Sequence, residues 1–328
     1  MSRLEVTAPD GLPEITVDSD LARIITAVTE LADGDVVVVT SKVVSKAEGR
    51  VRPGDRGEAL AEETVRVVAS RGPTLIVRNR LGLTMAAAGI DASNVGLGQV
   101  ALLPLDPDAS ARGLRDALLE LSGANVGVVI TDTAGRAWRE GQTDIAIGAA
   151  GLVVAEDFGG REDPYGNPLA VTLPAVADEI AGAAELAQGK LSGRPVAVVR
   201  GRADLVLEAG DHGTGAARLV RAEGGDLFGY GAREAVVRAL AGRDEDRRPF
   251  GDPVPLHELA SALARAVGDP LPASGAPPDD DGNGVPLRLP AGAERVAVEA
   301  VCFAHGWDVL AWRAGQTGVV ATVSPVTP

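Results

Sequence analysis

Two runs of β-branched residues do most to limit what this chain can fold into. Val36–Val39 follow the turn-like "DGD" and lead into Thr40, and Val128–Ile130 lead into Thr131. Apolar runs of this length, bounded by polar turns, read as buried strands. Segments with helical apolar spacing surround them: 20–31, 57–71, 110–123 and 175–190. Further strands are expected at 74–78, 100–106 and 194–201. Helices and strands in alternation predict a mixed α/β (α+β) architecture around a buried sheet.

Past about residue 245 the composition changes. A turn and a helix are expected over 247–268 and a Pro-, Gly- and Asp-rich linker over 269–286. The tail from 294 alternates like two or three strands. This divides the chain into 1–245 and a small C-terminal extension, 246–328, and 328 residues do exceed what one compact core usually holds.

Bulk chemistry removes several classes of function. A net charge of −15, with no basic stripe to offset it, argues against nucleic acid and anionic membrane as partners. No apolar run is long enough to span a bilayer, and "MSRLEVTAPDGLPEI" lacks the layout of a secretion signal. The single cysteine, Cys302, forms no internal disulfide, in keeping with a reducing, cytoplasmic setting. Any anionic substrate must be held by local lysines or by bound metal.

The strand 128–130 ends abruptly on Asp132 and Thr133, with charge of both signs behind them. A second acidic loop, "AAAGIDASNVG", carries Asp91 and Asn94. Carboxylate and hydroxyl oxygens suit a hard cation such as magnesium or manganese, and strand ends are where α/β sheets hold ligands. The same residues also serve simply to cap turns. After the first buried strand, Ser41, Lys42, Ser45 and Lys46 fall within six residues and could hold phosphates; a solvated helix start with Ser41 as its cap accounts for them equally well. Asp178 and Glu179 read as first-turn acids favoured by a helix dipole. There is no Walker A loop and no GxGxxG after a strand, and Cys302 with His305 is too small a set for zinc.

Taken in order, "GLPEI", "DGDVVVVTSKVVSKAEGR", "RLGLTMAAAGIDASNVG", "ITDTAGRAWREGQTDIAIGAAG", "DPYGNPLAVTLPAVADEIAGAAELAQGKLSGRPVAVVRG" and "DLF" resemble the coenzyme F420-0:L-glutamate ligases, the gamma-glutamyl ligases of deazaflavin biosynthesis. The resemblance spans roughly residues 4–235. It implies a gamma-glutamyl ligase-like α+β fold, assembled as a homodimer. It further implies an enzyme that uses GTP and a divalent metal, Mg2+ or Mn2+, with K+ as a further candidate cation, to join L-glutamate to coenzyme F420-0 and extend a gamma-linked tail. By resemblance, Leu12, Pro13, Glu14, Ile15, Ser41, Lys42, Lys46 and Asn94 would contact the nucleotide, and Asp91, Asp132 and Thr133 would hold metal. Some relatives carry a flavin-dependent reductase domain after the ligase; residues 246–328 are too few for it, so no flavin is expected. A bifunctional ligase and reductase, or a nucleotide-binding protein without catalysis, are the alternatives.

Overall fold

The computed structural model describes residues 3–222, 225–272, 284–315 and 318–326. Most of the linker expected at 269–286 therefore lies outside the described residues. The chain divides into two compact units, Met1–Val220 and Arg221–Pro328.

In chain order the first unit contains β1 (Glu5–Thr7), α1 (Leu21–Val28), β2 (Val36–Thr40), α2 (Ser41–Ala47), β3 (Val51–Pro53), α3 (Arg56–Glu63), β4 (Thr64–Arg71), β5 (Thr74–Asn79), β6 (Thr84–Ala86), β7 (Gln99–Ala101), α4 (Pro107–Ser122), β8 (Gly127–Gly135), β9 (Gln142–Ala150), β10 (Arg161–Glu162), β11 (Pro168–Leu169), α5 (Val176–Gln188) and β12 (Val196–Arg200). The central sheet has the order β1-β12-β2-β8-β9. Its β2–β8 pair is parallel and its other pairs are antiparallel.

The valine runs are uninterrupted because both faces of this sheet are covered. Val37, Val39, Val128 and Ile130 face α1 and α4, packing on Ile25, Leu114 and Leu118. Val36, Val38 and Val129 face α5, packing on Val176, Ala177, Ile180 and Ala184. Burying each such side chain is worth about 1.5–3 kcal/mol. Local signals agree with the packing: the Asp20 carboxylate caps α1, and α4 starts with an Asp106 cap and Pro107 and stops at Gly123 in the left-handed region.

Two polar anchors hold the connections. The Arg200 guanidinium forks onto buried Asp35, both bonds 2.7 Å, tying β12 to the start of β2. Arg115 of α4 is 2% exposed and donates to the carbonyls of Val126, Asp211, Leu207 and Glu208 and to the Asn125 side chain.

Three expectations need correction. The helix expected over 57–71 ends at Glu63; Thr64, Val65, Val67 and Val68 instead form β4, which turns at Gly72 and pairs with β5. β-Branched residues with an adjacent antiparallel partner outcompeted the helical pattern. Strand 100–106 shrinks to β7, with Leu102 and Leu103 buried but not in a strand. The tail from 294 begins with a helix: Val298 and Cys302, four apart, are both buried, while Val296 is exposed.

The second unit contains α6 (Ala232–Ala241), α7 (Leu256–Val267), β13 (Leu271–Pro272), β14 (Val285–Leu289), α8 (Arg295–Ala304), β15 (Trp307–Gly315) and β16 (Gly318–Pro325). Its antiparallel sheet, in the order β13-β14-β16-β15, shares a core with Leu259, Leu263, Val298 and Cys302 from α7 and α8. Helix α6 packs on α8 and so belongs to this unit, upstream of the 245/246 division drawn from composition. Among the described residues, no helix is long and apolar enough to cross a membrane.

Candidate functional site

The parallel pairing of β2 and β8 stops at Thr40 opposite Thr131. At that level β2 turns directly into α2, while β8 continues to Gly135 paired with β9 alone. Asp132 and Thr133 thus lie within a strand that outruns its neighbour, rather than at its exit from the sheet.

Ser41, the first residue of α2, donates its hydroxyl to Asp132 Oδ1 at 2.9 Å. Burial pushes the Asp132 carboxyl up to about 7; the Ser41 bond and Lys42 pull it down, and the nearby Asp144 and Asp91 charges push it further up. Lys42 bridges to the Asp91 loop, with Nζ 2.7 Å from Asp91 Oδ2 and 2.8 Å from Ser93 Oγ. Burial raises Asp91 too, but bonds from Lys42 and from the Ser93 amide and hydroxyl outweigh it and hold the carboxyl below its ordinary range. The loop is bent hard around this point: Ala87, Ala88 and Asn94 all have positive φ, at 49°, 56° and 55°. Such conformations cluster where surrounding structure imposes them, often at ligand sites.

Lys46 reaches back from the last turn of α2 to Glu14. Leu12 is partly buried against the core, Pro13, Glu14 and Asn94 are exposed, and the Ile15 side chain is fully committed to the core at 4% exposure. Contacts therefore link Glu14 to Lys46, Lys42 to Asp91, and Ser41 to Asp132, all around one short helix.

Thr133 is placed differently. Side chains alternate along a strand, and Thr131 and Thr133 both donate to Asp144 of β9, at 2.9 and 2.8 Å, on the face opposite Asp132. Lys190 Nζ donates to Thr133 Oγ1 at 3.0 Å. Burial, with the Asp144 charge behind it, raises the Glu185 carboxyl, which Lys190 partly offsets. The Gln188 amide, 2% exposed, has no hydrogen-bond partner among the described residues for either its oxygen or its nitrogen. The expected trio Asp91, Asp132 and Thr133 is thus split across the strand. Among the described residues no group of three His, Cys, Asp or Glu side chains is placed to hold a metal ion.

Sequence reasoning missed Ser93, Asp144, Glu185, Gln188 and Lys190. Lys190 sits in "LAQGKLSG", which carries no phosphate-loop signature, and Asp144 becomes notable only when β9 folds back to bring it opposite Thr133. Asp178, expected as a first-turn acid, is in the first turn of α5, where burial raises its carboxyl and Oδ1 accepts from the Ala146 amide on the sheet edge at 2.8 Å.

Comparison with known proteins addresses this same unit. A family model described as F420-0:Gamma-glutamyl ligase matches residues 11–56 and 54–201. Proteins named Coenzyme F420:L-glutamate ligase are similar across most of their length. That of Archaeoglobus fulgidus is 45% identical over 219 residues, covering 61% of this chain and 88% of the relative. Those of Halobacterium salinarum and Methanopyrus kandleri are 42% and 40% identical, covering 67% and 66% of this chain and 93% and 99% of the relatives. Every site residue named above falls within the matched span, and the second unit lies beyond it. The chain belongs to the F420-0:gamma-glutamyl ligase family.

Proposed function

We propose that this chain is a coenzyme F420-0:L-glutamate ligase that consumes GTP, requires a divalent cation, and works as a homodimer with the gamma-glutamyl ligase-like fold. The observation that carries the reading is the meeting of Ser41, Lys42, Asp91 and Asp132 where β2 ends beside β8, inside the span that matches the family. Donors and acceptors of this kind are what a nucleotide phosphate chain and its counterion require.

The donor set fits magnesium or manganese. Asp132 is a carboxyl whose ionisation is opposed by burial and by two neighbouring carboxylates, and a cation there would reverse that balance. When bound, the cation would neutralise charge between phosphate oxygens and the carboxylates. Asp91 and Asp132 would hold it from the α2 side, and the Thr133 side chain, turned to Asp144 on the other face of β8, would not reach it. Lys42 and Lys46, now paired with Asp91 and Glu14, would exchange those partners for phosphate oxygens. Glu14 with its neighbours Leu12, Pro13 and Ile15, together with Ser41 and Asn94, would surround the rest of the nucleotide.

A carboxylate acylates poorly, so the acceptor carboxylate must first be activated. Its oxygen takes the γ-phosphoryl group of GTP, releasing GDP. The glutamate amine then attacks the acyl carbon, phosphate leaves, and the amine proton is lost to solvent. The chain's task is to align three anions that repel one another.

Mass spectrometry of a reaction containing coenzyme F420-0, glutamate, GTP and manganese tests this directly. Product masses rising by glutamyl increments, with GDP formed, are expected; GTP binding without product would sink the reading. Oxygen-18 in the acceptor carboxylate should reach the released phosphate, and its absence there would rule out the acyl phosphate. Sedimentation of the pure protein reads the dimer, and a monomer at the working concentration would remove that part.

A further inference from the structure

Asp91 is placed by residues that lie upstream of it. Asn79, the last residue of β5, is 2% exposed, and both ends of its amide are bonded. Its Oδ1 accepts from the Leu81 and Leu83 amides at 3.0 and 3.1 Å. Its Nδ2 donates to the Ala88 carbonyl at 3.3 Å and lies 3.7 Å from Met85 Sδ. One buried side chain thus pins both the β5–β6 turn and the chain three residues before Asp91. At the pinned point Ala87, Ala88 and Gly89 have φ 49°, 56° and 77° in succession. Gly89 has a packing reason as well, since a methyl group there would come within 2.7 Å of Leu103 Cδ1. The two alanines carry a Cβ in a backbone that glycine enters freely, and that costs stability.

The methyl groups confer stiffness. An L-residue has only a small left-handed well, whereas glycine ranges widely there. Past the turn the main chain has little freedom left. Ala88 and Ile90 are each 3% exposed and pack with Val77, Val100 and Leu102. Asp91 exchanges both backbone bonds with Ala101, at 3.1 and 2.8 Å. The carboxylate leaves this frame toward Lys42 and Ser93. A strained turn, held by a buried amide and ending on a candidate ligand, is the pattern of a site set in advance rather than of a free loop.

We propose that Asn79 and the left-handed Ala87–Ala88 turn are positioning residues for Asp91: they fix the loop beforehand, so that a divalent cation beside Asp132 meets a ligand already in place. The proposal rests on the ligase reading above and concerns what keeps its cation site in shape.

Manganese titration of the full chain with GTP present, followed by the paramagnetic resonance of the free ion, tests it alongside thermal melts and amide exchange over residues 88–101. Ala87→Gly combined with Ala88→Gly should speed exchange at Asp91 and Ala101. The same pair should weaken manganese binding about tenfold, the cost of ordering two residues that have regained glycine's freedom. Ala87→Gly alone should bind manganese less tightly yet melt no lower than the parent, because the left-handed backbone suits glycine. Ala87→Asn tolerates the same backbone without widening it and should keep both the slow exchange and the affinity. Asn79→Asp still accepts from Leu81 and Leu83, but as a carboxylate it has no hydrogen to donate to Ala88. It should weaken manganese binding about tenfold, as losing the support of a metal ligand usually does. Parental affinity in the double glycine variant or in Asn79→Asp overturns the proposal and leaves the ligase reading standing, and so does an Ala87→Asn that loses as much as the double glycine variant. A parent protein that binds no manganese removes both.

Discussion

At Asp132 a carboxyl is held where burial opposes its charge, and that has a consequence for stability as well as for function. Its folded value, about 7, lies above the ordinary 3.8. Below the ordinary value the group is protonated in both states and costs nothing. As pH rises toward 7 the unfolded chain ionises first, so the stability that the protonated folded form enjoys is lost, and above 7 the whole penalty is in place. A shift of this size corresponds to a few kcal/mol, roughly. Without divalent cation, Asp132→Asn should therefore match the parent near pH 4 and melt higher than the parent at pH 8, while losing turnover at every pH. Thermal melts in chelator across that range check the first part, and a variant equal to the parent at pH 8 would refute it. Manganese should raise the melting temperature of the parent at pH 8 and leave that of the variant unmoved. Asp132 and Asp91 were legible in the sequence because acids at strand ends are conspicuous. Asp144 and Lys190 were not, because nothing local marks them.

Elements in this chain are joined by a few buried polar contacts that no periodicity reveals. Arg115 ties α4 to the 207–211 segment through three carbonyls and to Asn125 and Val126 through two further acceptors, and Gly151 lies directly against its guanidinium. Gly151 has φ +65°, and a methyl group there would overlap Arg115. Gly151→Ala thus combines backbone strain with displacement of a buried cation from its acceptors, and a loss of about 3 kcal/mol or more is expected. Chemical denaturation measures it; a loss under about 1 kcal/mol would mean that Arg115 relaxes freely. The helices and strands of the central sheet were readable because their apolar periods are long and both faces are buried. β4 was misread because its valines fit a helical pattern until β5 is alongside, and α8 because the Val296–Val298 alternation imitates a strand.

For the molecule as a whole, the two units can be followed separately because the single cysteine lies in the second. Cys302 is fully buried in α8, and burial, with Asp308 and Glu299 nearby, pushes its thiol up to about 12. A thiol both inaccessible and protonated does not react. An aromatic disulfide reagent should leave the native protein unlabelled and modify one thiol as soon as the second unit opens, so labelling against denaturant reports that unit alone. Rapid labelling of the native chain would contradict the described packing. The negative charge that argued against nucleic acid operates at this scale too: against a net −15, the lysines of α2 are local exceptions, and local exceptions are where anions can settle.

Composition and pattern alone pointed to a mixed α/β chain with a buried sheet, because runs of β-branched residues have few other stable homes. They also marked the acids and lysines after β2 and β8 as candidates, since those positions end buried strands. Only the tertiary structure decided which of them meet. It set Ser41 on Asp132, because β2 ends and turns into α2 beside a β8 that runs on, it set Lys42 on the Asp91 loop, and it turned Thr133 away to Asp144, because alternate residues of a strand face opposite ways. Contacts between residues ninety positions apart depend on how the chain closes on itself, and no window of sequence contains that information.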